Sequence, residues 1–282
     1  MVTIASGAKE SNKNSNGIRS VLIILSFAFI FIMLVIPMIA VMKYALSNGL
    51  EAYKTAVFDE YTIKSLKLTI LVMLIAVVFN TFFGIIAAWT VTKFQFRGKQ
   101  LIMTLIDIPF AISPVIAGLV FILTFGRIGW THPFLQAFDI KIVFAVPGII
   151  LATIFVTFPF ISREIIPVLN AQGKEEEEAA ALMGESSFHI FRKITFPHIK
   201  WALLYGIVLC TARAMGEFGA VSVISGHLRG KTNTLPLHIE ILYNEFNMTA
   251  AFAVSSILVI MAVIILMIRN VVEYKAKKES ER

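Results

Sequence analysis

Apolar residues in this chain of 282 residues fall into six long runs that are separated by polar segments. Each run is close to the ~20 residues that an α-helix needs to cross a bilayer. Each run is also continuously apolar, whereas a strand of a membrane barrel alternates apolar with polar positions over about ten residues. The pattern predicts an all-α polytopic membrane protein with six transmembrane helices. The predicted spans are approximately 20–42, 66–92, 101–125, 142–168, 201–225 and 250–270.

The composition agrees with a membrane protein and excludes several functional classes. Hydrophobic residues make up 57% of the chain and charged residues 15%, whereas a soluble domain usually carries about 25% charged residues. The spans leave too little chain for a soluble catalytic domain, so we expect no enzymatic activity in this chain. The single cysteine, Cys210, excludes intramolecular disulfides. The net charge of +7 fits the basic cytoplasmic loops of a membrane protein, so we expect no nucleic-acid partner.

The distribution of lysine and arginine predicts the side of the membrane that each segment occupies. Fifteen of these residues lie on the side of the two termini and seven lie on the opposite side. Because basic residues are enriched on the cytoplasmic side, both termini are predicted to be cytoplasmic. The predicted organisation is a flexible tail at 1–19, a transmembrane domain at 20–270 and a second tail at 271–282.

The cytoplasmic loop at 170–200 is the longest on its side and has the pattern of a structured segment. Four glutamates at 175–178 precede three alanines, which places acidic residues in the first turn of a predicted helix. Gly184 then interrupts this helix, and a second short apolar pattern leads to Pro197, which we expect to end it. The loop therefore predicts two short helices outside the bilayer. Composition alone favours a solvated acidic helix followed by an interfacial amphipathic one.

The spacing of residues in this loop resembles the EAA motif of ABC importer permeases, E-A-A-x3-G-x9-I-x-L-P. Phe196 stands where the motif usually has leucine. The resemblance implies that the loop contains the coupling helix through which a separate ATPase drives the permease. The residues that the motif assigns to ATPase coupling are Glu178, Ala179, Ala180, Gly184, Ile194 and Pro197.

The chemistry of these positions suits a docking element. The alanines permit close backbone approach by a partner, and Gly184 permits a sharp reversal of the chain. Glu178 offers a carboxylate to a hydrogen-bond donor on that partner.

A wider resemblance covers nearly the whole chain from the second span onward. Its segments are 106–119, 163–168, 201–206, 212–223 and 229–240. In these segments the chain is similar to the W-type permeases of the sulfate/thiosulfate ABC importers. The Gly-Glu-Phe-Gly-Ala sequence in 212–223 is shared with the sister T-type permeases and with molybdate permeases. The sequences Arg-Gly-Lys-Thr and Leu-Pro-Leu-His-Ile-Glu in 229–240 favour the W-type.

This resemblance implies a type I ABC importer permease (MetI-like) fold in the bacterial plasma membrane. The implied partners are a sister T-type permease, two copies of an ABC ATP-binding subunit and an extracytoplasmic sulfate-binding protein, with sulfate or thiosulfate as substrate. We expect no cofactor in this chain, because Gly230-Lys231-Thr232 lacks the upstream glycine of a phosphate-binding loop. ATP hydrolysis is expected of the partner.

Two charged residues in the fifth span, Arg213 and Glu217, are four positions apart and are expected to share a helix face. Ionisable residues inside a span are candidates for function. One interpretation is a structural pair between helices. The other is a translocation pathway in which Arg213 attracts the oxyanion and Glu217 prevents it from binding too tightly.

Further candidates lie in the third span. Ser113 and Pro114, together with Pro109 and Gly118, interrupt the regular backbone and could redirect polar groups towards the pathway. Packing of kinked helices is the alternative. Asp107, near the cytoplasmic end of this span, is interpreted as an interfacial or capping residue, with a group of the anion pathway as the alternative. The five histidines have no metal-ligand spacing and are interpreted as surface residues in loops.

Two other functions remain open at this point. The chain could be a molybdate or tungstate permease of the same family, or a membrane scaffold that binds an ATPase without conducting a substrate.

Overall fold

The computed structural model describes the backbone of residues 7–280 and the side chains of residues 18–279. Every regular element in these ranges is helical, so the all-α prediction is confirmed. The α-helices are α1 (Gly7–Ile30), α2 (Ile36–Ala45), α3 (Gly49–Val57), α4 (Glu60–Lys93), α5 (Lys99–Ala111), α6 (Pro114–Phe125), α7 (His132–Ala137), α8 (Val146–Thr157), α9 (Pro159–Gln172), α10 (Glu175–Leu182), α11 (Ser187–Ile190), α12 (Phe196–Met215), α13 (Gly219–Ile224), α14 (Leu235–Asn244) and α15 (Met248–Ser280).

Five continuous helical stretches are long and apolar enough to cross a membrane. They are Ile18–Ala45, Glu60–Lys93, Val146–Gln172, Ser187–Met215 and Met248–Glu279. A sixth candidate is the pair α5 and α6, which is bent by 111° at the break between the two helices. The fifth predicted span, 201–225, differs most from the structure, because the helix starts earlier and ends before α13.

Two π-helical segments, Phe31–Val35 and Phe191–Thr195, each precede a proline by two residues. Proline has no N–H and its ring crowds the carbonyl group four residues earlier, and a wider π turn accommodates both effects. The prediction that Pro197 ends a short helix is therefore wrong. The structure instead continues the helix through Pro197 to Met215.

Both predicted tails are partly helical in the structure. Helix α1 begins at Gly7, so the described part of 1–19 continues into the first span, and residues 1–6 lie outside the described residues. Helix α15 likewise extends beyond 270 to Ser280. Adding residues to an existing helix avoids the cost of nucleation, which explains why these polar ends follow their apolar spans.

The principal core lies where α4, α9 and α12 meet. Small residues bring these helices close together: a methyl group added at Gly84 would lie 3.0 Å from Ile161, and one added at Gly206 would lie 3.1 Å from the Ile161 Cα atom. Asn80 on α4 donates a hydrogen bond of 2.8 Å to the hydroxyl of Thr157 on α8. The buried residues of this core are Ala88, Ile161, Ile165, Leu169, Ile199, Leu203 and Cys210.

Candidate functional site

Two glycines with positive φ mark the ends of α10, the helix that carries the EAA-like residues. Gly173 follows α9 at φ +75°, and Gly184 follows α10 at φ +88°. The Gly184 N–H donates to Ala181 O at 3.0 Å, and the Glu185 N–H donates to Ala180 O at 3.2 Å. This pair of bonds is the Schellman arrangement that closes a helix and reverses the chain. We call α10 and the turn that follows it, residues 175–186, the coupling element.

The root of the coupling element is fixed by Glu177. Its Oε1 atom lies 3.0 Å from Lys93 Nζ at the end of α4, and these side chains are only 15% and 7% exposed. The hydroxyl of Thr195 donates to the same carboxylate at 2.6 Å, and Lys93 also donates to Gly173 O at 2.6 Å. The network ties α10 to the ends of α4 and α9 and to the helix that leads into α12.

Sequence reasoning missed Glu177 because four consecutive glutamates look equivalent by composition. The signal that distinguishes it is helical spacing. Ala180, three residues later, is 5% exposed and faces the same side of α10. Ala180 therefore packs inside the chain, whereas Glu178 and Ala179 are exposed.

The tip of the coupling element is apolar and open. Leu182 is 90% exposed and Met183 79%, and Phe188, just beyond the coupling element on α11, is 74% exposed. A methyl group added at Gly184 would meet nothing within 4 Å. Large apolar side chains on an exposed turn, next to the acidic Glu178, form a surface suited to a partner protein.

The second half of the motif lies at the start of the following helix. Ile194 is in the π segment and Pro197 is in the first turn of α12. Thr195 stands between them, and its bond to Glu177 connects the two halves of the motif.

The residues proposed for the pathway lie at a break between α12 and α13. Helix α12 ends at Met215, and Arg213 Nη1 forms an ion pair with Glu217 Oε2. Glu217 Oε1 accepts a hydrogen bond of 2.8 Å from Ala220 N in the first turn of α13. The expectation that Arg213 and Glu217 share one helix face is therefore wrong, because the helix ends between them and Glu217 supplies the acceptor for the next helix.

The break between α5 and α6 lies against the same region. Ser113 and the residue before it are extended, since a residue preceding proline disfavours the helical conformation, and Pro114 starts α6. A methyl group added at Gly219 would lie 3.0 Å from Pro114 Cβ, and one added at Gly118 would lie 2.6 Å from Ala220 O. Ser113 is exposed and its side chain makes no capping bond. Pro109, in contrast, is accommodated inside α5.

The two charges at the α12–α13 break differ in exposure. The Glu217 side chain is 1% exposed, whereas that of Arg213 is 31% exposed. A guanidinium group has five N–H donors in a fixed fork, so the pair with Glu217 leaves donors free on the open side. This arrangement presents a partly exposed cation beside two interrupted helices, which can stabilise an anion.

Asp107 is not a cap. It lies within α5 and forms an ion pair of 3.1 Å with Arg163 on α9, a partner that sequence reasoning did not identify. The two residues are far apart along the chain, and helix packing brings them together.

The interpretation of all five histidines as surface residues in loops is wrong for His238. This residue is on α14 and is 2% exposed. Its Nε2 atom lies 3.2 Å from the hydroxyl of Thr62 on α4. Burial lowers the pKa of His238 below its ordinary value, and the nearby Arg229 lowers it further.

Comparisons with known proteins agree with this architecture. A family model described as "Binding-protein-dependent transport system inner membrane component" matches residues 80–278. The chain is 46% identical over 249 residues to the sulfate transport system permease protein CysW of Escherichia coli K12, which covers 88% of this chain and 86% of that protein. It is 43% identical over 258 residues to CysW of Synechocystis, covering 92% and 94%. It is 34% identical over 248 residues to the sulfate permease CysT of Salmonella typhimurium, covering 88% and 90%.

A solved structure has a similar fold. It is a bacterial ABC transporter involved in the import of the acidic polysaccharide alginate, and it matches with a TM-score of 0.77 at 16% identity over 96% of this chain and 99% of that chain. At this identity the likeness shows the fold alone, and it confirms the prediction of an ABC importer permease fold. The family model covers most of the transmembrane region, and the chain belongs to the binding-protein-dependent transport system inner membrane component family.

Proposed function

We propose that this chain is a membrane permease subunit of an ATP-driven sulfate importer, with thiosulfate as a further substrate. The observation that carries the proposal is 46% and 43% identity to two sulfate permeases along nearly the full length of both chains. The chain is more similar to these CysW permeases than to the CysT permease at 34%, so it takes the W-type position in the complex. No observation favours molybdate or tungstate.

The coupling element is the surface on which the ATPase docks. Its root is fixed by the mostly enclosed ion pair Lys93–Glu177, while its apolar tip and Glu178 are exposed. A rigid base and an open tip are the properties required of an element that transmits force from another subunit. The permease itself hydrolyses no ATP, and the ATPase subunits supply that reaction.

The remaining partners follow from the same proposal. A sister CysT-type permease pairs with this chain, and each of the two permeases presents one coupling element to one of two ATPase copies. An extracytoplasmic binding protein delivers sulfate to the opposite side. The alginate transporter of similar fold is known in complex with a periplasmic protein that carries its ligand.

The pathway crosses the region where the two breaks meet, at Ser113, Pro114, Arg213 and Glu217. Sulfate leaves water at a large desolvation cost, and the partly exposed Arg213 offsets part of that cost. Glu217 neutralises Arg213 between passages, so the anion binds weakly enough to leave.

The proposed orientation places both termini and the coupling element in the cytoplasm. It is tested with cysteines introduced at exposed positions and labelled with a membrane-impermeant maleimide. Lys231 on the α13–α14 loop is exposed, whereas the neighbouring Asn233 is 1% exposed and unsuitable. The Lys231→Cys variant should react from outside the cell, and Glu185→Cys should react only after the cells are opened. The reverse pattern would refute this orientation.

Substrate is tested by uptake in cells from which the gene has been deleted. Loss of labelled sulfate uptake, restored by the intact gene, is the expected result, with molybdate uptake unchanged. Loss of molybdate uptake with normal sulfate uptake would contradict the proposal.

A further inference from the structure

A half-exposed ion pair joins α5 to α9 outside the two regions described above. Arg163 Nε lies 3.1 Å from Asp107 Oδ1, and the two side chains are 56% and 48% exposed. The Arg163 guanidinium also lies over the Phe110 ring, 5.0 Å from its centroid. Phe110 in turn contacts Phe160 of α9 edge to face, with ring centroids 5.1 Å apart. Aromatic contacts therefore support the pair from both helices, while one side of both charges stays open.

The depth of this pair restricts what its open side can face. Asp107 is eight residues after the start of α5, and Arg163 is nine residues before the end of α9. At 1.5 Å per residue, each lies about 12–14 Å from that end of its helix. The two ends are close together, because Lys93, shortly before α5, contacts Gly173, directly after α9. Both residues therefore lie within helices that are candidates for membrane spans, and neither is at the end of its helix.

Exposed charges at such a depth do not face acyl chains. Ionisable side chains within membrane spans face the interior of the protein or a water-filled cavity. Since half of each side chain is exposed on this chain, a cavity or another subunit must cover it.

Arg163 and Arg213 lie at different distances from the coupling element, measured along their helices. Arg213 is seventeen residues after the start of α12, about 25 Å from the end of that helix near the coupling element. Arg163 is about half as far from the corresponding end of α9, so it is the arginine nearer the coupling element.

We propose that Arg163 and Asp107 line the half of the translocation pathway that is nearer the coupling element. Arg163 is a second binding site for the oxyanion there, and Asp107 is the carboxylate that the oxyanion displaces from Arg163. The inference deepens the proposed function and rests on it. A guanidinium group binds tetrahedral oxyanions through paired N–H donors. Alone in a low-dielectric cavity, it would hold a divalent anion too strongly for release. A carboxylate at 3.1 Å competes for the same donors and returns when the anion leaves.

The test measures whether water-soluble thiol reagents reach position 107, and whether an anionic reagent reacts there faster than a cationic one. It uses the complete complex of permeases, ATPase and binding protein in proteoliposomes. The Asp107→Cys variant is treated with two methanethiosulfonates of similar size, one bearing a sulfonate and the other a trimethylammonium group. We expect the sulfonate reagent to react about tenfold faster, because a fixed cation in a cavity concentrates anions. Adding Arg163→Gln should remove the preference.

Two controls accompany this measurement. Leu105→Cys places a thiol two residues away on the same helix, at a position that is 52% exposed and apolar, and should react slowly with both reagents. The parent complex, in which this chain contributes only the buried Cys210, gives the background rate. If Asp107→Cys reacts with neither reagent, lipid or another subunit covers the pair and the proposal is overturned. Equal rates with both reagents would mean that position 107 faces water but that no anion is attracted there, and this result would also overturn the proposal.

A second variant keeps the proposal testable if Asp107→Cys fails to assemble. The double change Asp107→Asn with Arg163→Gln preserves hydrogen bonding between the helices and removes both charges. With ATPase copurification unchanged, sulfate uptake should fall at least fivefold, and full uptake would contradict the proposal. If the parent complex itself fails to transport sulfate, the proposed substrate is wrong, while the reagent preference, which requires no transport, still decides the role of the pair.

Discussion

Two ion pairs in this permease differ in how far their charged groups are exposed. The side chains of Lys93 and Glu177 are only 7% and 15% exposed, and each makes a further hydrogen bond that fixes the root of the coupling element. At the α12–α13 break, only Glu217 is buried, and Arg213 remains 31% exposed. A pair that is closed on both sides can only hold structure. A pair with one open cation can hold structure and still attract an anion. We propose that the first pair belongs to the part that transmits force and the second to the part that meets the substrate.

The largest expected effect is from Glu177→Ala. The change removes the carboxylate that pairs with Lys93 and leaves this mostly enclosed charge only its bond to Gly173 O, which should cost about 1–3 kcal/mol. We expect a lower unfolding temperature of the purified permease and loss of the ATPase during copurification. Glu178→Ala is the matched control, because Glu178 is the adjacent carboxylate but is exposed. It should leave the unfolding temperature unchanged and weaken only ATPase binding. If Glu177→Ala and Glu178→Ala lowered the unfolding temperature equally, Glu177 would not be the residue that fixes the coupling element to the rest of the chain.

The next effect concerns the open pair. Arg213→Gln should reduce sulfate uptake sharply, but it also leaves the buried Glu217 without its charged partner. The double variant with Glu217→Gln removes this unpaired buried charge and retains an acceptor for Ala220 N. If Arg213 serves the anion, assembly recovers in the double variant while labelled sulfate uptake stays low. Recovery of uptake as well would make this pair structural, like Lys93–Glu177.

A smaller effect is expected at Gly184, where the coupling element turns. A side chain at φ +88° costs about 1–2 kcal/mol of backbone strain, although the space around it is open in this chain. Gly49 is the matched control, since its φ is +86° and its surroundings are equally open, but it lies at the start of α3, just before α4, whose far end contacts the coupling element. Gly184→Ala and Gly49→Ala should destabilise the permease similarly. Only Gly184→Ala should also reduce uptake by disturbing the ATPase contact.

The smallest effect is a pH dependence from His238, a buried titratable group without a charged pair. Because its folded pKa is lowered, the unfolded chain takes up a proton below about pH 6.5 that the folded chain does not. Stability should therefore fall as the pH drops, by at most about 1.4 kcal/mol per pH unit. Thermal unfolding of His238→Gln should show a weaker slope than that of the parent, whereas His189→Gln, at an exposed position, should not. Identical slopes in all three proteins would rule out His238 as the source.

The apolar runs and the EAA-like spacing predict most of the fold, because membrane thickness and helix geometry set both patterns. The apolar run around Gly216 predicts no break after Met215. In the structure the backbone leaves the helix at 216–218, and α13 then starts at Gly219 with the bond from Ala220 N to Glu217. The ion pair between Asp107 and Arg163 is also not predicted by the sequence. Their contact depends on how α5 packs against α9, and the sequence around one residue does not indicate that the other is its partner.

The measurement that tests the account most directly is ATP-driven sulfate accumulation in proteoliposomes that contain this permease, a CysT-type permease, the ATPase and the binding protein. Labelled sulfate should accumulate only when ATP and the binding protein are both supplied, and the Arg213→Gln and Glu217→Gln double variant should accumulate much less at equal assembly. A complex that assembles and hydrolyses ATP in response to the loaded binding protein, but accumulates no sulfate, would contradict the account and favour a non-conducting scaffold.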